Sequence, residues 1–525
     1  MPNLIFLSFK LAKFVLVFII VLLILTLLSS INLSAQNKGL DQRIDEAFQP
    51  ISDFFSYYVF YPIGDYPFVI YLLVGSALFF TLYFVFPNIK YFWTAINVVR
   101  GKYDELEKTD SDSNDGEVSH FQALATAVSG TVGNGNIAGV ALAIALGGPG
   151  ATFWMIVCGL LGMSTKFVEC TLGVHFRDVD EDGVVYGGPM YYISKGLKSK
   201  GFKTLGTVAA SLFAIFCIGG SFGGGNAAQS NQATIVIKNL FGYESTFAGA
   251  MIGIVLAALV GVIIIGGIKR IASVTEKVVP FMAVLYILAC IYILAINFTF
   301  IDDAIALIIK EAFNPTAVGV GGVIGVLMVG FQRAAFSNEA GAGSASIAHS
   351  AVKTKYAASE GLVALLEPFI DTVVICTMTA LVIITFNSTG AFVYGGDGMG
   401  GVMIDGVMYE GAGITQKAFA QYIPGSDIFL TIAVVLFAVS TMISWSYYGL
   451  QSWKFLFGRG KVADMTYKVL FLLFVIIGAA ASMNSIWAFS DAMIFAMVFP
   501  NMVGLYFLFP IVKEQLKKYL EAIKN

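Results

Sequence analysis

The 525-residue chain has little charge: Lys, Arg, Asp and Glu make up 12% of it, against 57% hydrophobic residues and a mean hydropathy of +0.80. So small a polar complement cannot clothe soluble domains of this length, which places the chain in a bilayer. A formal net charge of −3, without an acidic tail or a basic stripe, argues against nucleic acid as a partner. Histidine is equally scarce. His120, His175 and His349 all fall at or beyond the ends of apolar runs, so a pair of axial haem ligands at mid-bilayer depth cannot be built from them. The five cysteines, Cys158, Cys170, Cys217, Cys290 and Cys376, lie in apolar stretches without the close pairing of a metal or redox site, and read as inert core residues. Missing too is any clustered nucleophile and base, paired carboxylates or metal set, which argues against a membrane enzyme. An ion channel would need polar or charged rings repeated along a pore, and the chain offers only isolated polar clusters.

What is present is a series of long apolar runs. Twelve could cross the roughly 30 Å hydrocarbon core as helices of about 20 residues. They lie near 14–30, 67–86, 121–146, 150–172, 205–237, 246–267, 278–298, 318–345, 357–386, 427–450, 466–482 and 486–510. With both termini cytoplasmic, most Lys and Arg fall in internal segments, and few, Lys166 and Arg333 among them, remain within spans, as the positive-inside rule requires. The expected localisation is a prokaryotic inner or plasma membrane. Lys10 and Lys13 before the run from Phe14 to Leu28 also fit a signal peptide, but no small-residue cleavage site follows, so an uncleaved helix is expected.

Two spans do not look like ordinary membrane helices. The third carries Ser129-Gly130-Thr131-Val132-Gly133-Asn134-Gly135-Asn136 inside an apolar run. Close helix packing would use the glycines, but two amides in hydrocarbon must find partners. Glycine lets the chain unwind, and unwound backbone at membrane depth persists where it lines a cavity. The eighth has Gly319, Gly321, Gly322, Gly325 and Gly330 leading into FQRAAFSNEAGAG from Phe331 to Gly343. Each irregular span opens a set of five, entered from opposite sides. The expected architecture is therefore an all-α polytopic membrane protein with a 5+5 inverted repeat: an N-terminal region 1–118 with additional helices, repeats over 119–300 and 316–512, and a cytoplasmic tail 513–525. In such folds the broken first helices hold ligand near the midplane, half-helix N-termini attracting a carboxylate and carbonyl ends a cation.

Four runs carry a resemblance to a known family: SGTVGNGNIAGVALAIALGGPGATFW at 129–154, GGPMYYI at 187–193, GGIKRIASVTEKVVPFMA at 266–283 and FSNEAGAGSASIAHSAVKT at 336–354. Over nearly all of the chain beyond residue 50 it resembles the alanine or glycine:cation symporters. The resemblance implies a leucine-transporter-like fold and sodium-coupled uptake of small neutral amino acids by alternating access, with no cofactor beyond the coupling ion and no obligatory protein partner. It further implies that backbone amides around Gly133, Asn134 and Gly135 receive the substrate carboxylate, with Asn136 and the carbonyl of Thr131 lining the substrate or an adjacent ion site. For sodium it implies a place between the first helix of repeat one and the third of repeat two. The carbonyls of Ser129, Val132 and Phe437 and the hydroxyls of Ser440 and Thr441 would be its ligands, the last three on one helical face. Back-bonding of Ser440 and Thr441 to carbonyls one turn earlier is the alternative.

Trp445, one turn beyond Thr441, and Phe222, Asn226 and Gln229 in the fifth span would complete a small, mostly apolar chamber suited to a methyl or hydrogen side chain. The chain departs from the family pattern at Asn134, where Thr is common, at Ala334-Ala335, where Gly-Leu is usual, and at Ser346, where Pro is usual. Proton coupling is the rival reading, since Glu339, Glu360, Glu367 and Asp371 sit in or near spans. Glu339 with Arg333 reads as an inner gate, and Glu360 as interfacial.

Overall fold

The architecture follows from where apolar runs are interrupted. In the computed structural model, described here for residues 40–107, 116–242, 247–315, 322–481 and 483–524, helices dominate and the strands are confined to three short hairpins. Among these residues seven helices are long and apolar enough to cross a membrane, and a bent pair makes an eighth. The expected span 14–30 lies outside the described residues, as do Gly319 and Gly321.

The chain begins with α1 (Leu40–Val59) and α2 (Phe68–Tyr83). The interrupted third span comes next, as α3 (His120–Thr131), a π-helical turn over Gly135–Gly139, and α4 (Val140–Gly147). Ser119 caps α3 reciprocally with Gln122, fixing where the helix starts. Its other end stops at Val132, whose extended backbone cannot continue the helix, and the two halves meet at 50°.

From there run α5 (Gly150–His175), α6 (Pro189–Ser199), α7 (Lys203–Phe222), a π turn at Gly223–Ala227, α8 (Ala228–Phe241), α9 (Ala248–Ile264), α10 (Gly267–Ile296) and α11 (Ile301–Phe313). The second half of the chain opens with α12 (Gly322–Asn338) and α13 (Ala345–His349). Between them Glu339, Gly341 and Gly343 all have positive φ, at 55°, 94° and 89°, so this span is broken as well. α14 (Ala357–Ala364), a π stretch at Phe369–Cys376 and α15 (Thr377–Phe386) form one span. α16 (Ala412–Tyr422), α17 (Ser426–Phe457), α18 (Lys461–Ala480) and α19 (Met483–Ala522) complete the bundle.

α17 is buried over most of its length, whereas α10 and α18 expose Phe281, Val284, Leu288, Val469 and Leu473. Apolar residues turned outward need a hydrocarbon solvent, so α17 is central and the other two face lipid. Two helices escape a search for apolar runs of spanning length. α1 packs along α19, with Ser56 Oγ donating to the Ala488 carbonyl at 3.3 Å, and leaves Phe54, Tyr57 and Tyr58 exposed. α11 is tied to α5 by Trp154 Nε1 donating to the Ala312 carbonyl at 3.1 Å, and its acidic first turn complements the helix dipole.

Candidate functional site

Both breaks and α17 converge on a narrow chamber. Gly130, Thr131 and Gly135 line it from the first broken span, Phe336, Ser337 and Glu339 from the second, and Thr441 and Trp445 from α17. Gly224, Gln229 and Ile494 close it. Glycine is required where the elements touch: a Cβ on Gly133 would stand 2.3 Å from Thr441 Oγ1, and one on Gly225 2.2 Å from Trp445 Cγ.

Internal polar groups hold the break open. Gly133 N–H donates to Asn136 Oδ1 at 2.9 Å, and Asn134 N–H donates to Gln229 Oε1 at 3.0 Å. Asn134 Nδ2 donates to the Gln229 carbonyl at 3.2 Å, while Gln229 Nε2 donates to the Gly224 carbonyl at 2.9 Å. Asn134 Oδ1 is buried without a partner among the described residues. Such a group normally acquires one, which marks the break as a place for a ligand.

Of the residues expected at the substrate, Thr131, Gly135, Gln229, Thr441 and Trp445 line the chamber, and Gly133 and Asn134 adjoin it through Thr441 and Gln229. Three point elsewhere. Asn136 Nδ2 donates to Asp371 Oδ1 at 2.6 Å, turning its side chain into the π stretch of the neighbouring span. Phe222 stacks on Phe474 with ring centroids 4.5 Å apart, and Asn226 Nδ2 donates to the Phe471 carbonyl at 2.6 Å, so both face α18. The wide turn at Gly223–Ala227 shifts the helical register between Phe222 and Gln229, so a 3.6-residue period misassigns their faces. Phe222→Ala should therefore lower stability by about 3–5 kcal/mol, the range for emptying a buried aromatic site. It should leave substrate affinity unchanged, which thermal unfolding and substrate titration of the variant together check.

The expected ion ligands are brought side by side. Ser129 Oγ donates to the Ser440 carbonyl at 2.7 Å, and Thr441 Oγ1 donates to the Ser129 carbonyl at 3.0 Å. Ser440 Oγ back-bonds to the Phe437 carbonyl at 2.9 Å. Val132 ends α3 beside them, its N–H on the Val128 carbonyl at 2.7 Å. This is a set of neutral oxygens from two helices, whose hydroxyls can turn their lone pairs toward a hard cation, the ligand type sodium takes.

Glu339 departs most from expectation. It does not pair with Arg333; its Oε1 accepts from Trp445 Nε1 at 2.9 Å and its Oε2 accepts from Ser344 Oγ, which sets a buried carboxylate on the chamber wall. Arg333 pairs with Asp491 on α19 and lies over the rings of Phe336 and Trp487. Glu360 is fully buried rather than interfacial, bonded to His120 and His349. Asp371 accepts from Asn136, Ser337 and Thr372, the last two at 2.9 and 2.7 Å, and so braces both broken spans.

Known proteins show what this arrangement accompanies. The profile of the sodium:alanine symporter family matches residues 52–525. The sodium/alanine symporter AgcS of Methanococcus maripaludis is 39% identical over 460 residues, covering 87% of this chain and 95% of that one. The amino-acid carrier protein AlsT of Bacillus subtilis is 34% identical over 460 residues, with 87% and 90% covered. Among solved structures, the manganese transporter of Eremococcus coleocola superposes with a TM-score of 0.50 at 13% identity, over 76% of this chain and 81% of that one. That likeness shows a shared leucine-transporter-like fold.

Proposed function

Because the chain belongs to the sodium:alanine symporter family, we propose that it imports a small neutral amino acid, alanine or glycine, together with sodium by alternating access. It is a multi-pass membrane transporter and not an enzyme. The observation that carries the substrate reading is the chamber itself, which sets a broken backbone against a buried carboxylate.

A zwitterion has two charged ends to satisfy. Its carboxylate is received at the first break by the amide of Gly135, and by that of Asn134 once Gln229 Oε1 gives it up, with Thr131 beside them. Its ammonium faces Glu339, and the close walls of Trp445, Phe336 and Ile494 favour a side chain no larger than a methyl or hydroxymethyl group. Sodium is held one turn away by Ser129, Val132, Phe437, Ser440 and Thr441. Thr441 borders both places, so substrate and cation order the same contact between α3 and α17.

Alternating access follows if 119–300 and 316–512 are inverted repeats that rock about this site, a reading supported by the break at the head of each. Arg333 and Asp491 close the chamber on the outer side over Phe336 and Trp487. The inner side holds both termini.

The deciding measurement is uptake of labelled alanine and glycine into proteoliposomes under an inward sodium gradient or an inward proton gradient. Accumulation driven by sodium alone is expected. Accumulation driven only by protons would transfer the coupling role to Glu339, the carboxylate that faces the chamber, and uptake under neither would remove alanine and glycine as substrates.

A further inference from the structure

Besides the chamber, the described residues bury a second polar assembly that neither substrate nor sodium uses. His120, the first residue of α3, presents Nε2 to Glu107 Oε2 at 2.9 Å and Nδ1 to Glu360 Oε2. His349, the last residue of α13, presents Nδ1 to Glu360 Oε1 and Nε2 to Glu367 Oε2 at 3.6 Å. Lys166 Nζ on α5 ends the row, 2.9 Å from Glu367 Oε1. His349, Glu360, Glu367 and Lys166 are fully buried, while Glu107 and His120 keep slight exposure at the other end.

The chemistry of the row fixes its protons. A neutral imidazole has one N–H and one lone pair, yet all four ring nitrogens here face carboxylate oxygens. A lone pair directed at a carboxylate is repelled, so each ring is held as an imidazolium, His120 donating on both sides and His349 donating to Glu360 while its Nε2 faces Glu367 Oε2 at the ion-pair distance of 3.6 Å. Charge gives the same count. Glu107, Glu360 and Glu367 stand against Lys166 alone if both rings are neutral, and against three cations if both are protonated. Buried groups of unbalanced charge are strongly disfavoured.

The remaining neighbours are accounted for. Glu107 also accepts from Tyr519 Oη at 2.8 Å, from Ser359 Oγ at 2.9 Å and from Thr354 Oγ1, and Tyr103 and Tyr356 pack on the Tyr519 ring. Glu169 and Cys170 follow Lys166 on α5, with Glu169 Oε1 accepting from Asn501 Nδ2 at 2.7 Å. Glu339 lies beyond Lys166 and is bonded to Trp445 and Ser344.

We propose that Glu107, His120, Glu360, His349, Glu367 and Lys166 form a proton-binding site that holds two protons and latches the cytoplasmic end of the transport pathway shut. Glu360 joins the start of α3 to the end of α13, so one carboxylate ties together the inner ends of both broken spans. Parting those ends separates an imidazolium from a carboxylate. Loss of a proton from His120 leaves that ring one donor for two carboxylates, which weakens the latch. A cytoplasmic face alkaline enough to deprotonate His120 therefore eases inward opening, and a neutral or acidic one leaves the latch made. The assignment rests on the orientation proposed above, with both termini inside.

Two readouts test it in the full-length protein. In proteoliposomes of one orientation under a fixed sodium gradient, raising the pH at the cytoplasmic face above neutral until His120 gives up its proton should speed alanine uptake by about fivefold or more, the usual size of a coupling between sites. His120→Gln should remove that dependence, and His120→Arg, which keeps the charge at every pH, should stay slow throughout. Independently of transport, the melting temperature of the purified wild type should fall on alkalinisation while that of His120→Arg does not. Identical pH profiles for wild type and both variants in uptake and melting would overturn the proposal, as would dependence on the opposite compartment alone. Absence of alanine uptake together with the expected melting behaviour would support the latch and refute the substrate reading instead.

Discussion

Thr441→Ala should abolish sodium-driven accumulation while the protein still folds and inserts. The hydroxyl it removes donates to the Ser129 carbonyl at 3.0 Å and stands where α3 and α17 meet. As the proposed cation ligand it would contribute the 1.5–3 kcal/mol of a hydrogen-bond-strength contact to a charged group, so sodium affinity should drop by about ten- to a hundredfold. Thr441→Ser keeps the oxygen and should keep most of the activity. The sodium dependence of uptake for the three proteins checks this, and an unchanged sodium requirement in the alanine variant would remove Thr441 from the ion site.

Glu339→Gln should have the second large effect, on substrate rather than sodium. Glutamine preserves the size of the side chain and an oxygen for Trp445 or Ser344, but not the charge proposed to face the ammonium. Removing one partner of a buried, hydrogen-bonded charge pair costs about 2–5 kcal/mol, which corresponds to a loss of substrate affinity of about thirtyfold or more. Binding of labelled alanine at saturating sodium measures it. If affinity stays intact while proton-driven uptake disappears, Glu339 carries a proton rather than contacting the ammonium.

The first break is legible because glycines and amides in hydrocarbon have no other use. The shared face of Phe437, Ser440 and Thr441 on α17 is legible for a different reason: the helix runs from Ser426 to Phe457 without interruption, so residues three and four apart share a face. Phe222, Asn226 and Asn136 are not, since each lies beside or within a π turn that changes the count. Glu339 is visible as a charge in a span, but its role is hidden by its proximity in sequence to Arg333. Only the left-handed backbone at Glu339 and the folding of α19 across α12 show that Arg333 belongs to Asp491. α1 and α11 are overlooked because each carries charged residues within its helix and so offers no apolar run of spanning length.

The three wide turns, at Gly135–Gly139, Gly223–Ala227 and Phe369–Cys376, have a mechanical meaning. An α-helix advances about 100° per residue, so a turn that carries one residue too many stores that much rotation. Tightening the turn at Gly223–Ala227 would spin α8, and Gln229 with it, against a stationary α7. A rotation of that kind would carry the Gln229 side chain away from the Asn134 amide without moving any helix axis, a form of unlocking that needs torsion alone.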